Sequence, residues 1–448
     1  MKKNLYLTAL LLGVSTASFS QTDLHQKIED ESKKIESKVI SWRRDFHEHP
    51  ELGNQEVRTA GIIANHLRSL GIEVQEKVSF TGVVGVLKGG KPGPVIALRA
   101  DMDGLPVTER VDVPFKSKVR TVYNEQETGV MHACGHDSHV AILMGVAEVL
   151  AGMKNELQGT VKFIFQPAEE GVSDKGQAFG ADGMIKAGAL ENPKVDVIFG
   201  LHINSQTPSG VIAYKAGPIM AAVDEMNFVI KGKQTHGAYP WEGADPIVAA
   251  SQIVTSLQTI VSRNVKLTEA PAVVTVGAIH GGIRHNIIPE EVKMIGTIRT
   301  LGKEQRVMVH RRIKEIAENT GKALGVDVDV EIVNGYPVTI NDVNLTKQML
   351  PTLEMSAGKA NIVEVPPTMG AEDFSYFQEK VPGVFFFLGG MDPKKSPSQV
   401  APHHTPDFYL DETGFVLGVK TLSNMVVDYG NMSQPIDTKS AKKGKKSK

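Results

Sequence analysis

A single cysteine, Cys134, stands in a chain of 448 residues, which excludes any intrachain disulfide. The lone thiol is a small buried side chain, a metal ligand or a nucleophile, and its neighbours must decide which. An excess of either charge is also missing: 49 Lys and Arg against 51 Asp and Glu leave a formal charge of -2. That balance argues against a chain whose main task is to coat nucleic acid, because such binding needs clustered cations to displace phosphate counterions. Beyond the first 20 residues no continuous apolar run approaches the roughly 18 residues of a membrane span, so the mature chain is expected to be soluble. Internal repeats and long linkers are absent too. What is present is ordinary globular chemistry: 41% hydrophobic residues suffice for a core, and the length suits two or three domains at about 150 residues each.

The ends differ from the rest. Lys2 and Lys3 precede an apolar run from Leu5 to Val14 and a small-residue stretch from Ser15 to Ser20. That order predicts a secretory signal peptide over 1–20, cleaved near Ser20/Gln21, and hence a secreted or periplasmic protein. Six lysines among small residues between Lys439 and Lys448 predict a disordered basic tail over 433–448.

From His25 to Leu70 apolar positions recur at helical spacing, and two helices fit. β-rich runs at Val83–Leu87, Val95–Arg99, Val161–Phe165 and Val197–Leu201 then alternate with helix-like stretches, among them Val140–Met153. Such alternation predicts an α/β domain with a largely parallel sheet, which binds ligands beyond the carboxyl ends of its strands. Around Gly217 the texture changes to β-α-β-β-α-β, the order of a ferredoxin-like module. The expected organisation is a catalytic domain split over 21–214 and 335–432, with an inserted α+β unit at 215–334.

Chemistry-bearing motifs follow the predicted strands. Arg99-Ala100-Asp101-Met102-Asp103-Gly104 puts two carboxylates at one strand end, and Met131-His132-Ala133-Cys134-Gly135-His136-Asp137-Ser138-His139 packs a thiol, three imidazoles and a carboxylate into one stretch. No packing argument needs that density, whereas thiolate and imidazole are the donors of a transition-metal site. Gln166-Pro167-Ala168-Glu169-Glu170-Gly171 places adjacent carboxylates after another strand. They cannot point the same way, so one can bind metal while the other faces a reacting water. Gly200-Leu201-His202 and His403-His404-Thr405-Pro406-Asp407 add further imidazoles.

With His236-Gly237-Ala238, Asn286-Ile287-Ile288-Pro289 and Met369-Gly370-Ala371-Glu372-Asp373-Phe374, these motifs make residues 25 to about 430 resemble the amidohydrolases of the M20 metallopeptidase clan. The branch resembled contains hippurate hydrolases, N-acyl-amino-acid amidohydrolases and auxin-conjugate hydrolases. The resemblance implies a mixed-sheet α/β di-metal hydrolase domain with helices on both faces, plus a ferredoxin-like lid that often dimerises, so a homodimer through the lid is expected. It further implies that Cys134, His136, Glu170, His202 and His404 hold two divalent metal ions (zinc, manganese or cobalt), His404 being directly preceded by His403. Glu169 becomes the general base and Asp101, ahead of its neighbour Asp103, the buttress of a metal-ligating residue. His236 matches a lid histidine that steadies the developing oxyanion. Asn286 and Arg299 match groups on the substrate carboxylate, and Met369 and Gly370 belong to a substrate-binding motif. The implied reaction is hydrolysis of N-acyl amino acids. A dipeptidase or carboxypeptidase of the same clan, or a non-catalytic binding protein on this scaffold, are the alternatives.

Overall fold

Ile96-Ala97-Leu98, Phe163-Ile164-Phe165 and Val197-Ile198-Phe199 are apolar at every position rather than every second one, so their strands must be covered on both faces. In the computed structural model they are. Ile96, Leu98, Phe163, Phe165, Val197 and Phe199 join one buried cluster, while Ala97, Ile164 and Ile198 join another across the sheet. The structure describes residues 21–172 and 176–432. The predicted leader at 1–20 and the basic tail at 433–448 lie outside the described residues.

Helices α1 (Gln21–Lys34), α2 (Glu36–Glu48) and α3 (Val57–Ser69) come first, three where the periodicity predicted two. Helical hydrogen bonds continue across the break at Ile35, from Ile35 N–H to Glu31 O and from Val39 N–H to Ile35 O. The apolar stripe therefore carries no mark of it.

Strands β1 (Glu73–Val78), β2 (Gly82–Lys88) and β3 (Lys91–Asp101) follow, then the hairpin β4 (Arg120–Tyr123) and β5 (Gln126–Gly129). Next come α4 (His136–Ala151), β6 (Gln158–Gln166), α5 (Gly180–Lys186), β7 (Val197–Pro208), β8 (Ile212–Tyr214) and β9 (Gly217–Met220). The lid comprises β10 (Ala222–Lys231), the short β11 (Thr235–His236), α6 (Pro246–Thr259), β12 (Ala272–Gly281), the short β13 (Ile287–Ile288), β14 (Glu291–Thr300), α7 (Lys303–Ala323) and β15 (Asp327–Asn334). The chain then returns through β16 (Thr339–Asn341), α8 (Val343–Ala357), β17 (Ile362–Glu364), α9 (Phe374–Gln378), β18 (Gly383–Met391) and α10 (Phe415–Asn431).

The large sheet has the order β1-β2-β6-β3-β7-β18-β8-β17. Its centre, β6-β3-β7-β18, is parallel, but β1-β2, β2-β6 and β18-β8 are antiparallel, so the sheet is mixed. Helices α1–α4, α8 and α10 cover one face and α5 and α9 the other. The lid sheet, β12-β14-β10-β15, is antiparallel throughout, with α6 and α7 packed on its apolar face. This is the ferredoxin-like module read from the sequence. Its start lies later than Lys215: β9 pairs with β16 outside the lid sheet, and the lid strands begin at Ala222. Among the described residues, no helix is long and apolar enough to cross a membrane.

Candidate metal centre

Parallel pairing aligns the carboxyl ends of the central strands, with Asp101 of β3 opposite Gln166 of β6 and Arg99 opposite Gly200 of β7. The loops leaving those ends converge there. The segment carrying Cys134 turns into α4 at Gly135, whose φ of +93° falls in the left-handed region. A Cβ at Gly135 would also stand 2.4 Å from the Ile203 side chain, so only glycine lets the loop close here.

Imidazoles from two other segments of the chain meet the thiol. Cys134 Sγ lies 3.4 Å from His202 Nε2 and 3.3 Å from His404 Nε2. His404 Nε2 is also 3.0 Å from Glu170 Oε1, and one donor atom each of Cys134, His136 and Glu170 lies within 4.8 Å of the others. Of the adjacent histidines, His403 engages the backbone on both ring nitrogens: Nε2 accepts from Ser205 N–H at 3.2 Å and Nδ1 lies 3.2 Å from Cys134 O. Its Nδ1 is also 3.7 Å from the thiol. His404 instead turns Nε2 toward both Cys134 and Glu170.

The supporting carboxylates divide differently from the expectation. Asp103 sits against His136 Nδ1 through Oδ1 (3.1 Å) and its carbonyl (3.0 Å), while its Oδ2 accepts from Glu170 N–H at 2.9 Å. Asp101 instead contacts His139 Nδ1 at 2.5 Å and Arg99 at 2.6 Å, and its Oδ2 stands 3.7 Å from His136 Nε2. Asp103, rather than Asp101, thus buttresses His136.

Arg99 is the hub of the wall behind Glu169. It is 1% exposed and donates to Gln166 Oε1, Asp101, Glu372 Oε1 and Asp373 Oδ1 at 2.6–2.9 Å. This hub was not foreseen, although a charged residue inside an apolar strand run signals that a partner must be buried with it. Glu372 and Asp373, within a motif already noted, are the other missed residues of this wall.

The electrostatics follow from crowding acids in a dry site. Burial, then Glu372, Glu170 and Asp373, push the Glu169 carboxyl well above the usual range. Burial and the nearby Glu170, Glu169 and Asp101 raise the Cys134 thiol well above its ordinary value. Burial holds His202 neutral, well below the usual imidazole range. For His136, burial opposes the charge, but Asp101 and Asp103 outweigh it and lift the group to about 10.

These residues fit a cation. His136 Nε2 is buried without a hydrogen-bond partner, beside a thiol and a carboxylate, and soft and borderline donors of this set suit a divalent transition metal. A bound cation would reverse the penalty on the thiolate and displace the proton from His136.

The centre opens into a cavity of about 440 Å³. Cys134, Glu169, Glu170, His202, His403 and His404 line its polar end, Met220, Val223 and Phe387 form apolar wall, and Arg299, Tyr336 and Gly370 are among the other lining residues. Met369 packs next to the lid junction with Ala222, Leu301 and Val338. Besides Met369, two expected residues of the lid do not line the cavity: His236 is exposed on the β11/β13 ribbon, and Asn286 adjoins the same ribbon. The ribbon is held by its own pairing, Thr235 opposite Ile288 and His236 opposite Ile287, beyond the Lys231–Glu291 end of the β10–β14 ladder. Arg299, on β14, does reach the cavity, half-buried.

Comparison with known proteins agrees with this geometry. The chain is 41% identical over 411 residues to thermostable carboxypeptidase 2 of Saccharolobus solfataricus, covering 91% of this chain and all of that one. It is 38% identical to the IAA-amino acid hydrolase ILR1-like 2 of Arabidopsis thaliana, covering 94% and 93%. The crystal structure of the Bacillus subtilis YXEP protein, described as a dinuclear metal binding peptidase from the M20 family, superposes with a TM-score of 0.72 at 36% identity over 88% of this chain and 98% of that one. A profile for peptidase family M20/M25/M40 matches residues 97–428, and the chain belongs to that family of metal-dependent hydrolases.

Proposed function

We propose that this enzyme is an exported amidohydrolase that cleaves the amide bond of N-acyl amino acids, with Glu169 as general base. The observation that carries this reading is the cavity itself. It places a carboxyl of raised pKa beside the thiol and imidazole cluster at one end, an apolar wall along one side, and a guanidinium, Arg299, within the same space. An acylated amino acid has matching parts: an apolar acyl group, a scissile amide and a free carboxylate.

Cys134, His136, Glu170, His202 and His404 would hold two divalent ions, which when bound polarise the substrate carbonyl and acidify the attacking water. Glu169 takes the proton of that water and returns it to the departing amine, the shuttle for which a carboxyl of raised pKa is suited. Arg299 meets the carboxylate and orients the amide. Asp103 holds the His136 ring from its Nδ1 side, and Asp101 does the same for His139, which in turn accepts from Ile203 N–H at 2.8 Å next to His202. His236 would reach the oxyanion through closure of the lid or from a second copy of the chain, and a homodimer through the lid would supply it. The 1–20 segment supports export by its charge-apolar-small order.

A carboxypeptidase reading is favoured by the 41% identity to thermostable carboxypeptidase 2. Free amino acid released from N-acetyl-, N-benzoyl- and indole-acetyl-amino acids, set against dipeptides, before and after chelation and with zinc or manganese restored, separates the two. Metal-dependent release from the acylated set is expected. Release from dipeptides alone would transfer the assignment to a peptidase, and no release from the metal-loaded protein would leave only a binding function.

A further inference from the structure

The lid is joined to the catalytic unit by two crossings of the chain, outward at Ala221–Ala222 and back at Asn334–Tyr336. A buried carboxylate gathers the donors at this junction. Asp224, opposite Asn334 in the β10–β15 ladder, accepts from the Arg306 guanidinium, from His310 Nε2 at 2.7 Å and from the Gly335 N–H at 3.1 Å. The Gly335 carbonyl accepts from both units, from Arg306 of α7 at 3.1 Å and from the Tyr376 hydroxyl of α9 at 3.2 Å. There is no room for a side chain at Gly335: a Cβ would stand 2.5 Å from the Val223 carbonyl oxygen. The backbones touch, and Val223 N–H donates to Tyr336 O at 3.0 Å.

Tyr336 projects from this clamp into the cavity, where its hydroxyl donates to the Glu169 carbonyl oxygen at 2.5 Å. That turn needs holding. Ala168, just before Glu169, has a φ of +53°, a conformation that a non-glycine residue keeps only where its surroundings impose it. Three contacts impose it: Glu56 Oε1 on Ala168 N–H (2.9 Å), Asp103 Oδ2 on Glu170 N–H (2.9 Å), and Tyr336 on Glu169 O. The first two come from the body of the catalytic unit, and the third comes from the hinge.

We infer that Tyr336 is a positioning residue that couples the orientation of the lid to the placement of Glu169. The clamp around Asp224 fixes the hinge peptide, the hinge peptide aims Tyr336, and Tyr336 fixes the turn that presents the carboxyl. Motion of the lid therefore changes the geometry of the base as well as access to it. The inference rests on the role given to Glu169 above.

The test is carried out on the metal-loaded full-length protein with Tyr336→Phe, Asp224→Asn and the double variant, using an N-acyl amino acid that the wild type cleaves. Tyr336→Phe should lower kcat up to about tenfold, the scale of one hydrogen bond, with KM and metal content unchanged. Asp224→Asn should act in the same direction, and the double variant should be no worse than Tyr336→Phe alone, because both interrupt one chain of contacts. Hydrogen–deuterium exchange of the 167–171 segment should quicken in both single variants. Multiplying effects, or an unchanged kcat with unchanged exchange, would overturn the coupling. If Asp224→Asn does not fold, His310→Gln removes one donor from the same clamp and is judged by the same readouts. If the wild type cleaves no acyl amino acid, the functional reading fails, and the exchange measurement still decides the coupling by itself.

Discussion

Arg99 and His236 occupy opposite extremes of one enzyme. Arg99 is buried at the end of a central strand with four side-chain partners, whereas His236 is exposed on a two-residue strand where its Nδ1 accepts from Ala238 N–H. The catalytic unit builds the wall behind Glu169 from buried charges that satisfy one another, an arrangement that cannot relax when one member is removed. The lid keeps His236 on the surface, where it costs little to hold, and sends only the half-buried Arg299 into the cavity. A buried charge network and an exposed histidine thus fall in different units, and the chain crossing at Gly335 and Tyr336 lies between them.

The sharpest test of the buried half is Glu169→Gln, which preserves shape. Turnover should fall by on the order of 10³-fold, within the range of general acid–base catalysis, with metal content unchanged. Full activity in a metal-loaded variant would remove Glu169 from the mechanism. Next comes Arg99→Leu, which leaves Asp101, Glu372 and Asp373 without their shared cation. Breaking a buried ion network in this way costs about 3–5 kcal/mol, to be read from the urea midpoint, and a loss below about 1 kcal/mol would show the network to be replaceable.

The exposed half is probed by His236→Ala. It should leave stability and metal content alone while lowering kcat by about 10²-fold, the scale of one oxyanion donor. An unchanged kcat would show that the ribbon never reaches the reacting atoms. Smaller again is Asp103→Ala, which should weaken metal binding by roughly 10- to 100-fold, as removal of a ligand's hydrogen-bond partner does, measured by competition with a chelator. If Asp101→Ala weakened it more, the buttress would be Asp101 after all.

The smallest effect concerns pH. Burial opposes the Asp224 charge, but His310 and Arg306 outweigh it and hold the carboxyl down at about 2. A depressed carboxyl stabilises the fold above its unfolded value, near 4, and loses that contribution as pH falls toward 2. The stability difference between wild type and Asp224→Asn should therefore shrink between about pH 4 and pH 2, as measured by denaturant unfolding. A difference constant across that window would show that the clamp does not depend on charge.

Much of the fold was legible because its causes are local. Apolar runs and their alternation with helical stretches marked the central strands, and β-α-β-β-α-β marked the lid. The break at Ile35 was not legible, since hydrogen bonding carries the helical register through it. The mixed sheet was implied by the family resemblance but not by the alternation itself, because strand direction depends on which neighbour a strand finds rather than on its own composition. At the site, the density of Cys134, His136 and His139 in one stretch, the Glu169–Glu170 pair and the late histidines pointed to a metal before any contact was known. Residue types suffice for that inference because donor chemistry is a property of the side chain.

What the tertiary structure alone decided is which side chain faces which. It turned His404 Nε2 to Cys134 and Glu170 while engaging His403 with the backbone, gave Asp103 the contact on His136, and gathered four polar partners around Arg99 from segments up to 274 residues apart. It also left His236 and Asn286 outside the cavity. Sequence determines the donors and the periodicities, which are short-range. Partner choice depends on distances between strands and loops remote in the chain, and those are settled only when the sheet is paired and its loops have closed.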